Sequence, residues 1–576
     1  MYYKHFAVGL MLLAMGMLSC KKEKLDHSYD NRPDIAVSGN STVRLVNLTG
    51  NNQLSVNGER LTGYLTIRPI PGQETLFPGT YWFPTNGKLG SSFTVPRQFL
   101  TNGSAEISTD YLEYSLGRDS FGFKVIEDYN KPKDYFMMKG FPFTAAVVPR
   151  VTEVQREVTA PSKAGYFKIR IVNLANPVNS SWSAEDVAKP LTLAYADGTP
   201  VSATTSNINP QSWSPYVELP YGTYQFKVLA PNGVEVRASG GNSLENTYMS
   251  EPASSNLMRM VNGGIPNAVS DGLTYAPLKS YQPGGVYTIV VGIDHLTMLN
   301  VYGVPGETSV YYQNVFRVLA DVSEPLNTDY YRLQAVQANV DEGQVSFRVN
   351  GTKLGDAGYT AATDYSICVA GQATIEAVNA TGAVLATATQ RFLAGQNYTA
   401  WLYKTPEGKA AISMVANNLT GSWYEVPSGT DNSGQDGSFN RMTHTYPFNY
   451  RFLNLCPDLP YASFTYGNGQ SAGATSTSRN LQPGVPVTDL PYARSGQDAE
   501  AYQFMVYKSS PTVYPGNWIS TIPVLKSTDF VARPDRYTRV KPVHEPGVYT
   551  VALVGRLTAN QPEAKSAKMI IIKHTK

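Results

Sequence analysis

Ile169-Arg170-Ile171-Val172-Asn173-Leu174 is one reading of a pattern that this chain writes four times. Val43-Arg44-Leu45-Val46-Asn47-Leu48 precedes it and Tyr450-Arg451-Phe452-Leu453-Asn454-Leu455 follows it, while Tyr331-Arg332-Leu333-Gln334-Ala335-Val336 is a degenerate copy. Short runs rich in Val, Ile, Leu and aromatic residues read as strands. After each copy comes Asn57-Gly58, Asp197-Gly198, Asn350-Gly351 or Asn468-Gly469. Such dipeptides accept the positive φ at both central positions that a two-residue type I′ hairpin requires. Before one of them, Val345-Ser346-Phe347-Arg348-Val349 alternates apolar and polar, the period of a half-buried strand.

Two further elements recur. Pro78-Gly79-Thr80-Tyr81-Trp82-Phe83 matches Leu219-Pro220-Tyr221-Gly222-Thr223-Tyr224-Gln225-Phe226, and Leu490-Pro491-Tyr492 with Ala501-Tyr502-Gln503-Phe504 repeats it around an insertion. Gly285-Val286-Tyr287-Thr288-Ile289, Gln396-Asn397-Tyr398-Thr399-Ala400 and Gly547-Val548-Tyr549-Thr550-Val551 close three units, and Phe141-Pro142-Phe143-Thr144-Ala145 stands in the corresponding place of the first. Short strands with frequent turns describe β-sandwiches. The expectation is an all-β chain of four tandem immunoglobulin-like sandwiches at 41–155, 165–325, 330–425 and 446–576. Linkers are expected at 151–164, 321–329 and 429–440, the last being the most loop-like and the place for inter-domain flexibility. Helical candidates are confined to 183–188 and the surroundings of Glu500.

Composition agrees. The 576 residues include 48 Gly and 38 Pro, only 16% are charged, and the formal net charge is +2. A chain so balanced carries no electrostatic footprint for nucleic acid. No HExxH or paired-Cys spacing is present among its 6 His and 3 Cys, so neither a metal nor a cofactor is expected.

The first residues read as an address. Residues 6–18 (FAVGLMLLAMGML) form an apolar run of 13, too short to span a bilayer, which takes about 20 residues. The run ends Leu18-Ser19-Cys20 and so resembles the lipobox of bacterial lipoproteins, in which cleavage precedes an acylated Cys. The expectation is a signal peptide at 1–19, lipidation at Cys20, a tether at 20–40 and attachment to the outer membrane through the lipid. Lys21-Lys22-Glu23-Lys24 departs from the Lys-then-acidic pattern of surface-exported Bacteroidetes lipoproteins by its extra lysines, so the surface is the expected face and the periplasmic side the alternative.

Taken in order, the repeated elements resemble a family of immunoglobulin-like repeats of unknown function found in Bacteroidetes-type surface and periplasmic lipoproteins. The resemblance covers most of residues 41–576. It implies a sandwich fold and an envelope location, and no active site. Cys368 is expected as a buried strand residue, Asp294-His295 as a turn, and 431–437 as a solvated linker rather than a calcium loop.

Loop aromatics with polar neighbours are the candidate ligand contacts: Trp182, Trp213, Tyr216, Tyr514 and Trp518. A ring beside Asn and Gln amides suits stacking on a sugar face; the alternative is that each ring caps its own sandwich. The expected role is non-catalytic surface display, adhesion or capture of a glycan or envelope protein. A structural spacer or assembly subunit is the alternative, and a cryptic hydrolase using Glu185 and Asp186 beside Trp182 is the third.

Overall fold

The computed structural model describes residues 39–576 apart from 49–50, 64–77, 85–86, 91, 114–116, 139–148, 177–187, 232, 234, 237–257, 262–264, 269–278, 300–307, 421, 426–441, 446–447, 474, 489–490, 496–499, 537–542, 546 and 559–561. The described residues are chiefly strands and loops, with one four-residue α-helical turn at Thr475–Ser478 and a few 3-10 turns of three or four residues. The signal peptide, Cys20, Trp182, Glu185, Asp186, 429–440 and Phe141 to Ala145 lie outside the described residues.

Four sandwiches follow one another. In each, an opening strand sits inside the first sheet: Asn40–Asn47, Tyr166–Asn173, Tyr330–Gln337 and Phe448–Asn454. Each runs parallel to a later strand of the same unit, respectively Lys133–Met137, Val286–Leu299, Asn397–Lys404 and Gly547–Val554. A final antiparallel strand completes each sheet, at Val151–Gln155, Thr308–Ala320, Ala410–Asn417 and Lys568–Lys573. Residues 151–155, expected in a linker, therefore belong to a sheet. Asp294 and His295, expected in a turn, lie within Val286–Leu299. In the first unit Lys133–Met137 takes the place proposed for Phe141 to Ala145.

The second sheets close the cores. Units one and three share the order Glu59–Arg60, Gln53–Val56, Ser104–Glu113, Gly117–Ile126 and Thr352–Ala357, Val345–Val349, Gly371–Asn379, Val384–Phe392. Their hairpins are of the expected type: Asn57 and Gly58 have φ of 50° and 82°, and Asn350 and Gly351 have 48° and 78°. Units two and four differ. Positive φ falls on Gly198 and Gly469 but not on Asp197 or Asn468, which instead accept the amide two residues on, from Thr199 and Gln470. These turns carry one residue more, and the Asp or Asn side chain completes them. Odd and even units are thus two variants in alternation.

Opening strands are buried on both faces, as a near-continuous apolar run predicts. Val43 and Leu45, Ile169 and Ile171, Leu333 and Ala335, and Tyr450 and Phe452 enter their own cores. The other face goes to a neighbouring unit. Val46, Leu48, Phe136, Met138 and Val154 of unit one meet Val172, Leu174, Val290 and Leu319 of unit two. Val336, Ala338, Trp401 and Val415 of unit three meet Leu453, Leu455, Ala552, Val554 and Ile572 of unit four. The first sheets therefore pack face to face in pairs, one with two and three with four. Each Val or Leu so buried contributes about 1.5–3 kcal/mol.

This geometry explains the repeated motif. Its Arg, Val and Leu face the neighbour, and its Asn turns inward to cap the sandwich. Asn47 donates to the carbonyls of Asn51 and Gly90, Asn173 to those of Lys189 and Ile208, and Asn454 to those of Leu459 and Leu481. In unit three that role falls to Gln337, which donates to the carbonyls of Asn339, Glu342 and Gly343. The motif of unit three is therefore Leu333-Gln334-Ala335-Val336-Gln337-Ala338, two residues on from the expected alignment, with Gln334 where the other units have Arg.

Candidate functional site

The two seams between paired sheets hold the densest buried polar chemistry among the described residues. In the seam of units one and two, Arg44 donates from Nε to Asp134 Oδ1 at 2.7 Å and from Nη2 to Asp134 Oδ2 and Asp321 Oδ1, both at 2.6 Å. Arg156 Nη1 donates to Asp134 Oδ1 at 2.6 Å. Thr288 and Tyr216 donate their hydroxyls to Asp321 Oδ2 at 2.6 and 2.9 Å. Arg170 donates to Thr288 Oγ1 at 2.9 Å and lies 4.5 Å over the ring of Tyr216. Burial works against the Asp134 carboxylate, but Arg44 and Arg156 hold it below its ordinary range. Burial, reinforced by the charge of Asp134, pushes the Asp321 carboxyl up.

The seam of units three and four has the same frame with other chemistry. His574 follows the final strand as Asp321 does: its amide bonds the carbonyl of Val548, as that of Asp321 bonds Val286. His574 Nε2 lies 2.7 Å from Thr550 Oγ1, and Nδ1 lies 3.1 Å from the Tyr365 hydroxyl and 3.3 Å from Gln334 Oε1. Asn417 donates to Tyr365 and to Thr399. Arg451 donates to Thr550 and to the carbonyl of Ala416, and lies over the Tyr492 ring. Burial first, and then the Arg451 charge, hold His574 well below the usual imidazole range, so it is neutral.

Other buried charges join sandwiches across the pairs. Lys227 of unit two contacts Glu235 at 2.7 Å and Glu545 of unit four at 3.7 Å, with all three side chains 1% exposed. The Arg332 guanidinium of unit three, expected as part of the motif, instead lies over Tyr365 and against Gly222. A Cβ on Gly222 would clash with the Arg332 guanidinium, which would have to move to admit a larger residue.

The candidate aromatics separate into two kinds. Tyr216 has its ring and hydroxyl committed to the first seam. The Tyr514 ring lies beneath Arg479, 3.8 Å from its guanidinium carbon, and its hydroxyl donates to Ser471. Trp213 and Trp518 stay 42% and 49% exposed. Trp213 pairs with Val172 and so stands at the rim of the first seam. Trp518 lies directly opposite Tyr507. Because Val506 enters the core, Tyr507 and Trp518 share the outward face of their sheet. The sequence reading passed over Tyr507 because it looked for rings in loops; the alternation of Phe504 to Tyr507 along a strand was the available signal.

Cys368 and Cys456 are free thiols. Cys368 is half-buried rather than buried, and burial pushes Cys456 up to about 12, away from thiolate chemistry. No group of three His, Cys, Asp or Glu side chains among the described residues could hold a metal ion. No described helix is long and apolar enough to cross a membrane.

No family model matches the chain, and no curated protein does. Among solved structures, a "putative adhesin" from Bacteroides ovatus is 9% identical, with coverage of 46% of this chain and 96% of that one and a TM-score of 0.11. The Bacillus anthracis TIE protein is 9% identical, with coverage of 87% and 67% and a TM-score of 0.11. Likenesses this slight carry no functional argument, and the conclusion here is one of fold: the chain is a series of four immunoglobulin-like β-sandwiches packed in two pairs.

Proposed function

We propose that this chain is a non-catalytic display and capture protein of the cell envelope, anchored in the outer membrane through acylated Cys20, and that its outward rings contact a glycan or protein ligand. The observation that carries the reading is the Tyr507–Trp518 pair on the outer face of the fourth sandwich, where neither ring serves the core. Two neighbouring rings offer an apolar platform on that face. Trp213 is a second, separate ring at the rim of the first seam.

The test is a glycan-array and pull-down screen with the full chain. Trp518→Ala or Tyr507→Ala is expected to weaken the bound ligand at least about tenfold, as loss of about 1.4 kcal/mol would, with the melting temperature unchanged. A ligand indifferent to both variants and to Trp213→Ala overturns the platform. Anchoring is tested separately. Cys20→Ala is expected to move the protein from the membrane to the soluble fraction, and an unmodified Cys20 in the native product would refute the anchor.

A further inference from the structure

The outer face of the fourth sandwich's second sheet carries more than two rings. Phe464 and Val506 stand directly opposite one another and enter the core, so the next pair on the same strands, Ser463 and Tyr507, turns outward beside Trp518. Ser463 Oγ donates to Ser509 Oγ at 2.8 Å and accepts the amide of Asn480 at 3.0 Å. That amide sets Arg479 at the border of the platform, roughly 10 Å from Tyr507 by one cross-strand step and one peptide step.

Arg479 is held on two sides and open on the third. Its Nε donates to Ser471 Oγ at 3.0 Å, and its guanidinium carbon stands 3.8 Å over the Tyr514 ring. Ser471 is fixed in turn by the Tyr514 hydroxyl at 2.9 Å and by Ser478 Oγ at 3.1 Å. Arg44, Arg150, Arg156 and Arg556 each grip an aspartate. Among the described residues no carboxylate meets Arg479, and its two Nη groups carry no hydrogen bond and stay open to solvent. A guanidinium oriented in this way presents a free two-pronged donor that fits a carboxylate or sulfate and gives up little side-chain freedom on binding one.

We infer that the ligand of this face is an acidic glycan: a sugar ring stacks on the Tyr507–Trp518 platform, and a carboxylate or sulfate on that sugar or the next takes the Arg479 fork. The inference rests on the platform reading and adds the ligand's charge to it. A neutral sugar would leave the fork unused, and an acidic peptide lacks the flat C–H face that stacks on rings.

The test is isothermal titration of the full chain carrying Cys20→Ala, which keeps acylated copies from gathering in micelles. The probes are a galacturonic acid oligomer, the same oligomer methyl-esterified, a sulfated galactose oligomer and an oligoglutamate peptide. At least one of the two charged oligomers is expected to bind about tenfold or more tighter than the ester, as about 1.4 kcal/mol gives, and the tighter of them identifies the anion. Arg479→Gln is expected to lower that affinity to the ester's and leave the ester's unchanged. Arg479→Lys, which keeps the charge without the fork, is expected to fall between, with the melting temperature unchanged in both variants. Trp518→Ala is expected to weaken charged and neutral oligomers alike. A charged oligomer that binds no better than the ester, or a preference that survives Arg479→Gln, overturns the inference and leaves the platform standing. A preference lost in Arg479→Gln but indifferent to Trp518→Ala and Tyr507→Ala overturns the platform instead. Oligoglutamate bound as tightly as the better charged oligomer assigns the fork to a protein partner and overturns the glycan.

Discussion

Two seams built on one frame hold this protein together, and they differ in the charge they bury. Between units one and two, Arg44 bonds Asp134 and Asp321, Arg156 bonds Asp134, and Arg170 reaches Asp321 through Thr288. Between units three and four, Gln334 stands where Arg44 does, Thr399 where Asp134 does and His574 where Asp321 does, leaving Arg451 without a carboxylate ion pair among the described residues. The apolar residues around both networks are alike, chiefly Val and Leu with Phe136 in one and Trp401 in the other. Sheet packing thus sets where the polar positions fall, and the residue types there only have to satisfy one another. A buried network is costly when half satisfied, which is why Arg and Asp, or Gln and Thr, occur together within a seam.

The sharpest way to break the comparison is Arg44→Ala. It leaves Asp134 with Arg156 alone and removes the cation beside Asp321, so a loss of about 3–5 kcal/mol is expected in urea unfolding of the full chain. A loss under about 1 kcal/mol would mean that the charged seam is no more demanding than the neutral one. Tyr216→Phe is next. Removing a hydroxyl that bonds a buried carboxylate is expected to cost about 1.5–3 kcal/mol, while ligand binding by the full chain stays as it was; lost binding with unchanged stability would return Tyr216 to the ligand site.

Acid separates the seams further. The folded-state value for His574 is depressed, so the unfolded chain takes up a proton below about pH 6.5 that the folded chain refuses. The stability His574 allows is complete above about pH 6.5 and falls as the pH drops through that value toward the folded one, by up to about 1.4 kcal/mol per pH unit. Hydrogen exchange in Tyr330–Gln337 and Phe448–Asn454 is expected to quicken between pH 6.5 and 5, and His574→Gln to abolish that dependence. If exchange accelerates equally in the variant, the histidine is not the cause. The smallest effect concerns the caps: Gln337→Asn shortens an amide that bonds three carbonyls and is expected to cost about 0.5–1.5 kcal/mol by thermal unfolding. An unaltered or raised melting temperature would show that Asn and Gln are equivalent there.

Particular residues show where sequence reading stopped. Leu45 and Val46, or Ile171 and Val172, are adjacent apolar residues that in a strand must point to opposite faces, so burial on both sides was written in the motif. What lay against the second face was not. The slip in unit three went unseen because Tyr331-Arg332 imitates the motif's start, and only the hydrogen bonds of Gln337 reveal which residue caps the sandwich. Asn-Gly predicted its turns correctly in units one and three; Asp197 and Asn468 use their side chains instead and form the longer alternative. Of the candidate rings, Trp213 and Trp518 are exposed as their polar neighbours suggested, whereas Tyr216, with the same kind of neighbours, turns into a seam.

The sequence by itself determined the local matter: strands from apolar runs, hairpins from Asn-Gly and Asp-Gly, four units from repetition. These depend on contacts between residues a few positions apart, which periodicity and turn chemistry encode directly. Only the tertiary structure decided that the units pack in pairs, that Asp321 answers Arg44 across 277 positions and that His574 answers Gln334 across 240. A side chain's partner at that separation is set by how whole sheets dock, and docking follows from the summed shape of many apolar faces rather than from any short stretch of chain.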